Sequence, residues 1–433
     1  MKLNILIAAV CLVLAGCDFF FTDDGNQAEQ RYNARIAWDS GLYSNSFRSH
    51  TVHDGYVFFY ELPPGEEYVN IYTLTKLNAQ TGEFIWRSPI TFQWIVRTQP
   101  VIIGNHVYVF LLPDVILGFD RETGEHTATV RLDIDGRNWE MNMNVVGHGE
   151  HLYMGLFIVR ARNHKFARLD VNLINHGGDP EELQTIKPEI LWEPETRNPV
   201  TAMPVLYDGV VFTSTFTVLG QEPVEIAGFC VNTGGKVFHI TFAGPDEDYD
   251  DNIRWPRESG AGMRGNPILI HDGILYFLST SISAWNISTG ERLYRHVFTN
   301  DMPNNEVFSG NGSVQAIFYR GRIFYTAGAS HNPPNTFHNI FSIDAATGKP
   351  VWSTIARNSE TLGTNPIIAN GRLYVPQHFG LYVYDAMTGR LIGVDRSFGG
   401  EGTVGRNILY GDLMITLRQG RISSRLVAVN VGR

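Results

Sequence analysis

The chain has 433 residues, 43% hydrophobic and 18% charged, with a formal charge of −10 from 34 Lys plus Arg against 44 Asp plus Glu. No Lys/Arg cluster forms a basic stripe, which disfavours nucleic-acid binding. Length alone suggests two or three domains, but 43 glycines, many beside Asn, Asp or Thr, point to a turn-rich β protein in which repeats must be sought first.

The N-terminus reads as a targeting segment. Lys2 supplies the positive end, and Leu3 to Leu14 form an apolar run too short to span a bilayer. It closes on Leu14-Ala15-Gly16-Cys17, which resembles the bacterial lipoprotein signal. That resemblance implies cleavage after residue 16, lipidation of Cys17, and a periplasm-facing protein anchored to an envelope membrane rather than spanning it. The other reading, a plain secretory peptide, also predicts export. Residues 17–35 read as a polar tether, with Phe19-Phe20-Phe21 near the lipid surface, and 36–433 as the folded body. Beyond Cys11 and Cys17 the chain has only Cys230, so no internal disulfide is available to the body. Cys230 reads as a small apolar residue rather than a nucleophile.

Arg35-Ile36-Ala37-Trp38-Asp39 is a lone short strand, the last strand of a repeat whose first three are missing. A turn phrase then recurs. Asn78-Ala79-Gln80-Thr81-Gly82 leads to Trp86, and Asp120 to Gly124 leads to Ala128 at the Trp position. A degraded copy keeps Pro188-Glu189-Ile190-Leu191-Trp192 without Thr-Gly. Thr233-Gly234 precedes Phe238, Thr289-Gly290 precedes Tyr294, Thr347-Gly348 precedes Trp352, and Thr388-Gly389 precedes Gly393. Gly takes the positive φ of a tight hairpin, and the Asp or Asn three residues before Thr bonds back to the turn amides. A second phrase lies upstream of several of these turns, as in Pro366-Ile367-Ile368-Ala369-Asn370-Gly371-Arg372-Leu373-Tyr374. Adjacent units stand about 40 to 60 residues apart, the size of a four-stranded propeller blade.

The last copy has three strands, near 404–410, 413–417 and 426–429, so Ile36-Ala37-Trp38 is expected to supply its fourth and close the ring. The expectation is an eight-bladed all-β propeller. Seven blades with one large insertion around Met141 to Glu195 is the alternative.

The repeat Ala/Ser-x-Asp-x-x-Thr-Gly-x-x-x-Trp, closest at Ser342 to Trp352 and good at Lys76 to Trp86, resembles the docking repeat of the pyrroloquinoline-quinone-type β-propellers. The resemblance implies that Trp38, Trp86, Trp192, Phe238, Tyr294 and Trp352 pack between blades. Quinoprotein alcohol dehydrogenases of this kind carry two adjacent Cys on the quinone, and this chain has no such pair. Lipidation, export and eight blades are instead similar to the lipoprotein scaffolds of the outer-membrane β-barrel assembly machinery, which implies a protein partner in the envelope, no cofactor and no catalysis. A quinone-dependent dehydrogenase or a ligand- or glycan-binding propeller is the alternative.

Asp246-Glu247-Asp248-Tyr249-Asp250-Asp251-Asn252 alternates carboxylates as Ca²⁺ loops do, yet lacks Gly at the sixth place and has Arg257 at the twelfth. A solvated acidic loop is the plainer reading. His148 and His151 are expected to flank a hairpin, and neither they nor His50 with His53 have zinc-protease spacing. The contact surfaces are expected in Met141 to Glu195, Phe242 to Met263 and Ser330 to Phe337.

Overall fold

The computed structural model describes residues 31–432 except 45–49, 64–70, 94–97, 135–139, 158–163, 195–203, 216–223, 243–267, 279–280, 298–315, 330–336, 358–365, 378–379, 399–406 and 420–423. Eight sheets stand in a ring, each built on four antiparallel strands, and no α-helix occurs among the described residues. They are numbered here as blades 1 (50–87), 2 (101–132), 3 (140–192), 4 (205–242), 5 (268–297), 6 (317–357), 7 (367–395) and 8 (408–430 with 35–44).

The count is eight because the region around Met141 to Glu195 is a complete blade, with strands Glu140–His148, His151–Phe157, His164–Asp170 and Glu189–Trp192. His148 pairs with His151 across its first hairpin. Only 171–188 is an excursion. It carries a short strand, Leu183–Ile186, that crosses to blade 2 and pairs parallel with His126–Leu132 as a fifth strand.

Closure uses the N-terminal strand. Arg35–Ser44 pairs antiparallel with Ser424–Asn430, as the fourth strand of blade 8. It is longer than the orphan Ile36-Ala37-Trp38 and is bent by two irregularities between Ile36 and Tyr43. The chain before it also touches the ring. Tyr32 N–H donates to Val394 O (3.0 Å) and Ala34 N–H to the Asp395 carboxylate (2.6 Å), so 31–34 lies along the outer strand of blade 7.

Side chains alternate between the two faces of a strand, and in this ring both faces are covered. In Leu413–Gln419, Leu413, Ile415 and Leu417 pack towards blade 1, whereas Met414 packs towards blade 7. In Tyr56–Glu61, Phe58 and Tyr60 face blade 2, and Val57 and Phe59 face blade 8. This explains strands that read as unbroken apolar runs. The core is therefore divided into eight clusters, one at each blade junction.

Candidate functional site: the two rims of the ring

In each blade the first and third strands rise and the second and fourth descend; a tight hairpin joins the first pair in every blade and the second pair in all but blades 3 and 8. Both tight hairpins therefore lie on one rim. The second and fourth strands end, and the first and third begin, on the other, called here the loop rim. The two rims are built differently.

The turn rim is closed by repeated hydrogen bonds. In the outer turns, the Oδ1 of Asn78, Asp120, Asn286, Asp344 and Asp385 accepts from the amides two and three residues on, at 2.8–3.2 Å. At Asp120 and Asp385, burial pushes the carboxyl pKa up, but the turn amides and the Thr hydroxyl outweigh it, and the net shift is downward. The residue after each third strand donates its N–H to the inner hairpin of the same blade, as Ala386 does to Gly371 O at 2.9 Å. The carbonyl of that residue accepts from the preceding blade. Trp38 Nε1 donates to Ala79 O, Trp86 Nε1 to Arg121 O and Trp352 Nε1 to Ala386 O, each at 3.1 Å. Tyr294 OH donates to Ala345 O (2.8 Å), Arg168 Nη1 to Val231 O (2.9 Å) and Asn370 Nδ2 to Val431 O (3.0 Å). Glycine is required where the ring arrives. At Gly389, φ is +73° and a Cβ would stand 2.6 Å from Trp352 Cδ2.

All six aromatic positions lie in clusters between blades, but two differ in register or bonding. In the docking row the fourth-strand residue pairs two places before the end of the third strand, as Trp352 pairs with Ser342. In blade 3 that partner is Arg168 and the residue opposite is Glu189, not Trp192. Trp192 pairs with Phe166 and packs on Phe229 of blade 4 (centroids 6.2 Å), while Arg168 crosses the junction. Phe238 is in the row, opposite Gly228, and in the cluster with Ile268, Leu275 and Phe277 of blade 5, but it has no donor and meets Phe212 of its own blade edge-on (5.6 Å, 67°). There the cross-junction bond shifts inward, from Gly273 N–H to Tyr207 OH at 2.8 Å.

At Ala128, too small to dock, the excursion of blade 3 supplies a ring. His176 lies over Gly118, stacks on His106 (3.5 Å, 12°) and hydrogen-bonds Tyr108 OH (3.2 Å) and Thr127 Oγ1 (2.9 Å). Burial, and secondarily the neighbouring His106, push its pKa down to about 4. Nothing in the repeat pattern marks His176, because its segment replaces the turn that would have aligned it.

The loop rim overlies buried polar groups. Glu61 is 2% exposed, holds Arg87 through both guanidinium contacts and accepts from Thr75 Oγ1 (2.6 Å). Lys165 pairs with Glu193 (2.7 Å) and His239 with buried Glu225 (3.1 Å). Among the described residues, Gln99 Oε1, just before the first strand of blade 2, and Thr213 Oγ1, Ser214 Oγ and His164 Nδ1, at the same ends of their strands, are buried without hydrogen-bond partners, as is Ser342 Oγ at the turn-rim end. Each such atom costs about 1–3 kcal/mol if it stays unpaired. The chemistry of these groups is donation and acceptance of hydrogen bonds. Among the described residues no group of three or more His, Cys, Asp or Glu converges as a metal site. Cys230 ends a blade 4 strand at the turn rim.

Cys17, the acidic run Asp246 to Asn252, Ser330 to Thr336 and most of Phe242 to Met263 lie outside the described residues.

A family model described as "Outer membrane protein assembly factor BamB" matches residues 278–432, from the outer half of blade 5 to the third strand of blade 8. No curated protein sequence matches the chain at a significant level. Among solved structures, the chain is similar to BamB from Moraxella catarrhalis (TM-score 0.57, 13% identity, 93% of this chain and 100% of that one). It is similar to the quinohemoprotein alcohol dehydrogenase from Comamonas testosteroni (0.60, 11%, 92% and 76%). It is also similar to the computationally designed Ika8 protein (0.58, 10%, 92% and 99%). At these identities the likeness to solved structures is one of fold, and that fold is shared by a dehydrogenase and an assembly factor.

Proposed function

We propose that this chain is a lipid-anchored, non-catalytic scaffold of the bacterial cell envelope, whose loop rim holds a protein partner of the outer-membrane β-barrel assembly machinery. The observation that carries this reading is the match of residues 278–432 to the assembly-factor family. The lipoprotein-type Leu14-Ala15-Gly16-Cys17 supports it from the other end of the chain. The division of labour between the rims supports the choice of surface. The turn rim commits its carbonyls and amides to blade docking, whereas the strand ends of the other rim are joined by the longer segments of the chain. Loops on a rigid frame are the usual place for binding.

The alternative is a quinone-dependent dehydrogenase, favoured by the shared fold of the quinohemoprotein enzyme. The sequence lacks the adjacent Cys pair of that group, and Cys230 stands alone in the body. One experiment separates the two. Tagged protein is crosslinked in membranes, purified and analysed by mass spectrometry, and the same preparation is assayed with alcohols, quinone and Ca²⁺. Recovery of barrel-assembly subunits without turnover is expected. Quinone-dependent oxidation by the purified chain overturns the scaffold reading.

A further inference from the structure

We infer that the ring stands edge-on to its membrane, with the outer wall of blades 7 and 8 resting on an anionic lipid surface. This rests on the lipid-anchor reading of Cys17.

Two independent observations point to the same wall. The first is where the tether arrives. Backbone bonds from Tyr32 to Val394 and from Ala34 to Asp395 fix residues 31–34 on the outer strand of blade 7, and Arg35–Ser44 is the outer strand of blade 8. Tyr32 and Ala34 also pack on the cluster between these blades. The chain therefore reaches the ring on its side wall, not at a rim or at the central channel. From Cys17 to Arg31 a fully extended tether spans about 50 Å at most. An anchor on residue 17 keeps this wall within that distance of the bilayer, whichever way the ring turns.

The second is charge. The described residues of 366–432, blade 7 and most of blade 8, contain five Arg against three Asp, a net +2 in a chain of −10. Across the ring, the described residues of blades 3 and 4, within 140–242, contain four Lys or Arg against ten Asp or Glu, a net −6. On the tethered wall Arg31, Arg35, Arg390 and Arg396 are exposed. Arg396 also reaches Tyr382 OH (3.3 Å). The acids there are engaged: Asp39 with Arg425 (3.2 Å), and Asp395 with the Ala34 and Ser397 amides. The ring thus has a positive side and a negative side, and the tether pulls on the positive one. An anionic surface attracts juxtamembrane Arg and repels the opposite wall, an effect that fades over a Debye length of about 8–10 Å. Edge-on seating leaves both rims open to the periplasm, so the loop rim can hold a partner without competing with lipid.

The test uses the lipidated protein with Cys230→Ser, reconstituted in vesicles of neutral lipid or of neutral lipid with anionic phosphatidylglycerol. A dye is placed on blade 7 by Ser397→Cys or on blade 4 by Lys236→Cys, and energy transfer to a headgroup acceptor is read. The expected result is at least twofold stronger transfer from the blade 7 dye on anionic than on neutral vesicles, and weaker transfer from the blade 4 dye. High salt, or Arg31→Glu with Arg35→Glu, Arg390→Glu and Arg396→Glu, removes the difference. Equal transfer from both dyes on both vesicles overturns the inference, as does a difference that salt leaves unchanged. Mass spectrometry of the N-terminal peptide reads the anchor separately. If Cys17 carries no lipid, the anchor reading fails, and the same protein held through an N-terminal histidine tag on nickel-chelating vesicles still tests the wall.

Discussion

Trp352 allows the docking geometry to be tested quantitatively. Its ring is 8% exposed, lies at a centroid distance of 6.0 Å from Phe324, and donates to Ala386 O in blade 7. Burying an aromatic side chain of about 150–250 Å² contributes roughly 4–6 kcal/mol at about 25 cal/mol/Å². Partial collapse of the cavity brings the expected loss for Trp352→Ala to about 3–5 kcal/mol. Trp352→Phe keeps most of the area but strips the donor from Ala386 O, a loss of about 1–3 kcal/mol. Gly389→Ala adds a left-handed strain of about 1–2 kcal/mol to a clash with the indole. In the Trp352→Ala background the clash has no partner and only the strain remains. Urea unfolding of the four proteins forms a double-mutant cycle, in which the reasoning requires a coupling of at least about 1 kcal/mol. Additive losses, or an unfolding midpoint unchanged by Trp352→Ala, refute it.

Further consequences follow from the charged groups. The Asp385 carboxyl is lowered in the fold, so its stabilisation is full above its unfolded value near 3.8 and is lost as pH falls through its folded value. Asp385→Asn should lose less stability than wild type between pH 7 and pH 3; parallel losses contradict the turn reading. His176 is neutral in the fold with a pKa of about 4, so an unfolded imidazole near 6.5 takes up its proton first, and its contribution declines from pH 6.5 towards 4. His106 and His126 are lowered in the same direction by burial, against Asp120 and Glu181 respectively. Amide exchange at Leu183–Ile186 should therefore quicken at pH 5 relative to pH 7 after correction for intrinsic rates, and His176→Phe should flatten the change. Arg87→Met leaves the buried Glu61 without its counter-charge and with only the Thr75 hydroxyl bond; because Arg87 is itself 37% exposed, a loss of about 2–3 kcal/mol is expected, below the ~3–5 kcal/mol of fully buried pairs. No loss at neutral pH would mean that water replaces the guanidinium.

Much of the fold was legible because each blade encodes its own turns. The Asp-to-Gly spacing at Asp344 to Gly348 specifies local hydrogen bonds, and Trp352 specifies contact with the next blade. The orphan strand at Trp38 was readable for the same reason, since its missing partners reappear at Ile408–Asn430. What escaped the pattern is what lies outside local periodicity. Trp192 has the right residue type, but the excursion before it moves the register, and Glu189 takes the row. His176 fills a junction from a segment with no repeat signature. The strap of Tyr32 and Ala34 on blade 7 is made by backbone groups that any residue type other than Pro supplies. The loop-rim pairs, such as Glu61 with Arg87, join residues 26 apart whose partnership depends on how the strands align. Functional sites are harder to read than folds for that reason: their geometry comes from several blades at once.

The central claim is that the loop rim, not the turn rim, carries the partner. A photo-crosslinking amino acid placed at exposed loop-rim positions such as Gln93 and Glu193, and at exposed turn-rim positions such as Gln80 and Ser288, tests it in intact cells. The account predicts adducts with a barrel-assembly subunit from Gln93 and Glu193 and none from Gln80 and Ser288. Adducts confined to the turn rim would contradict it.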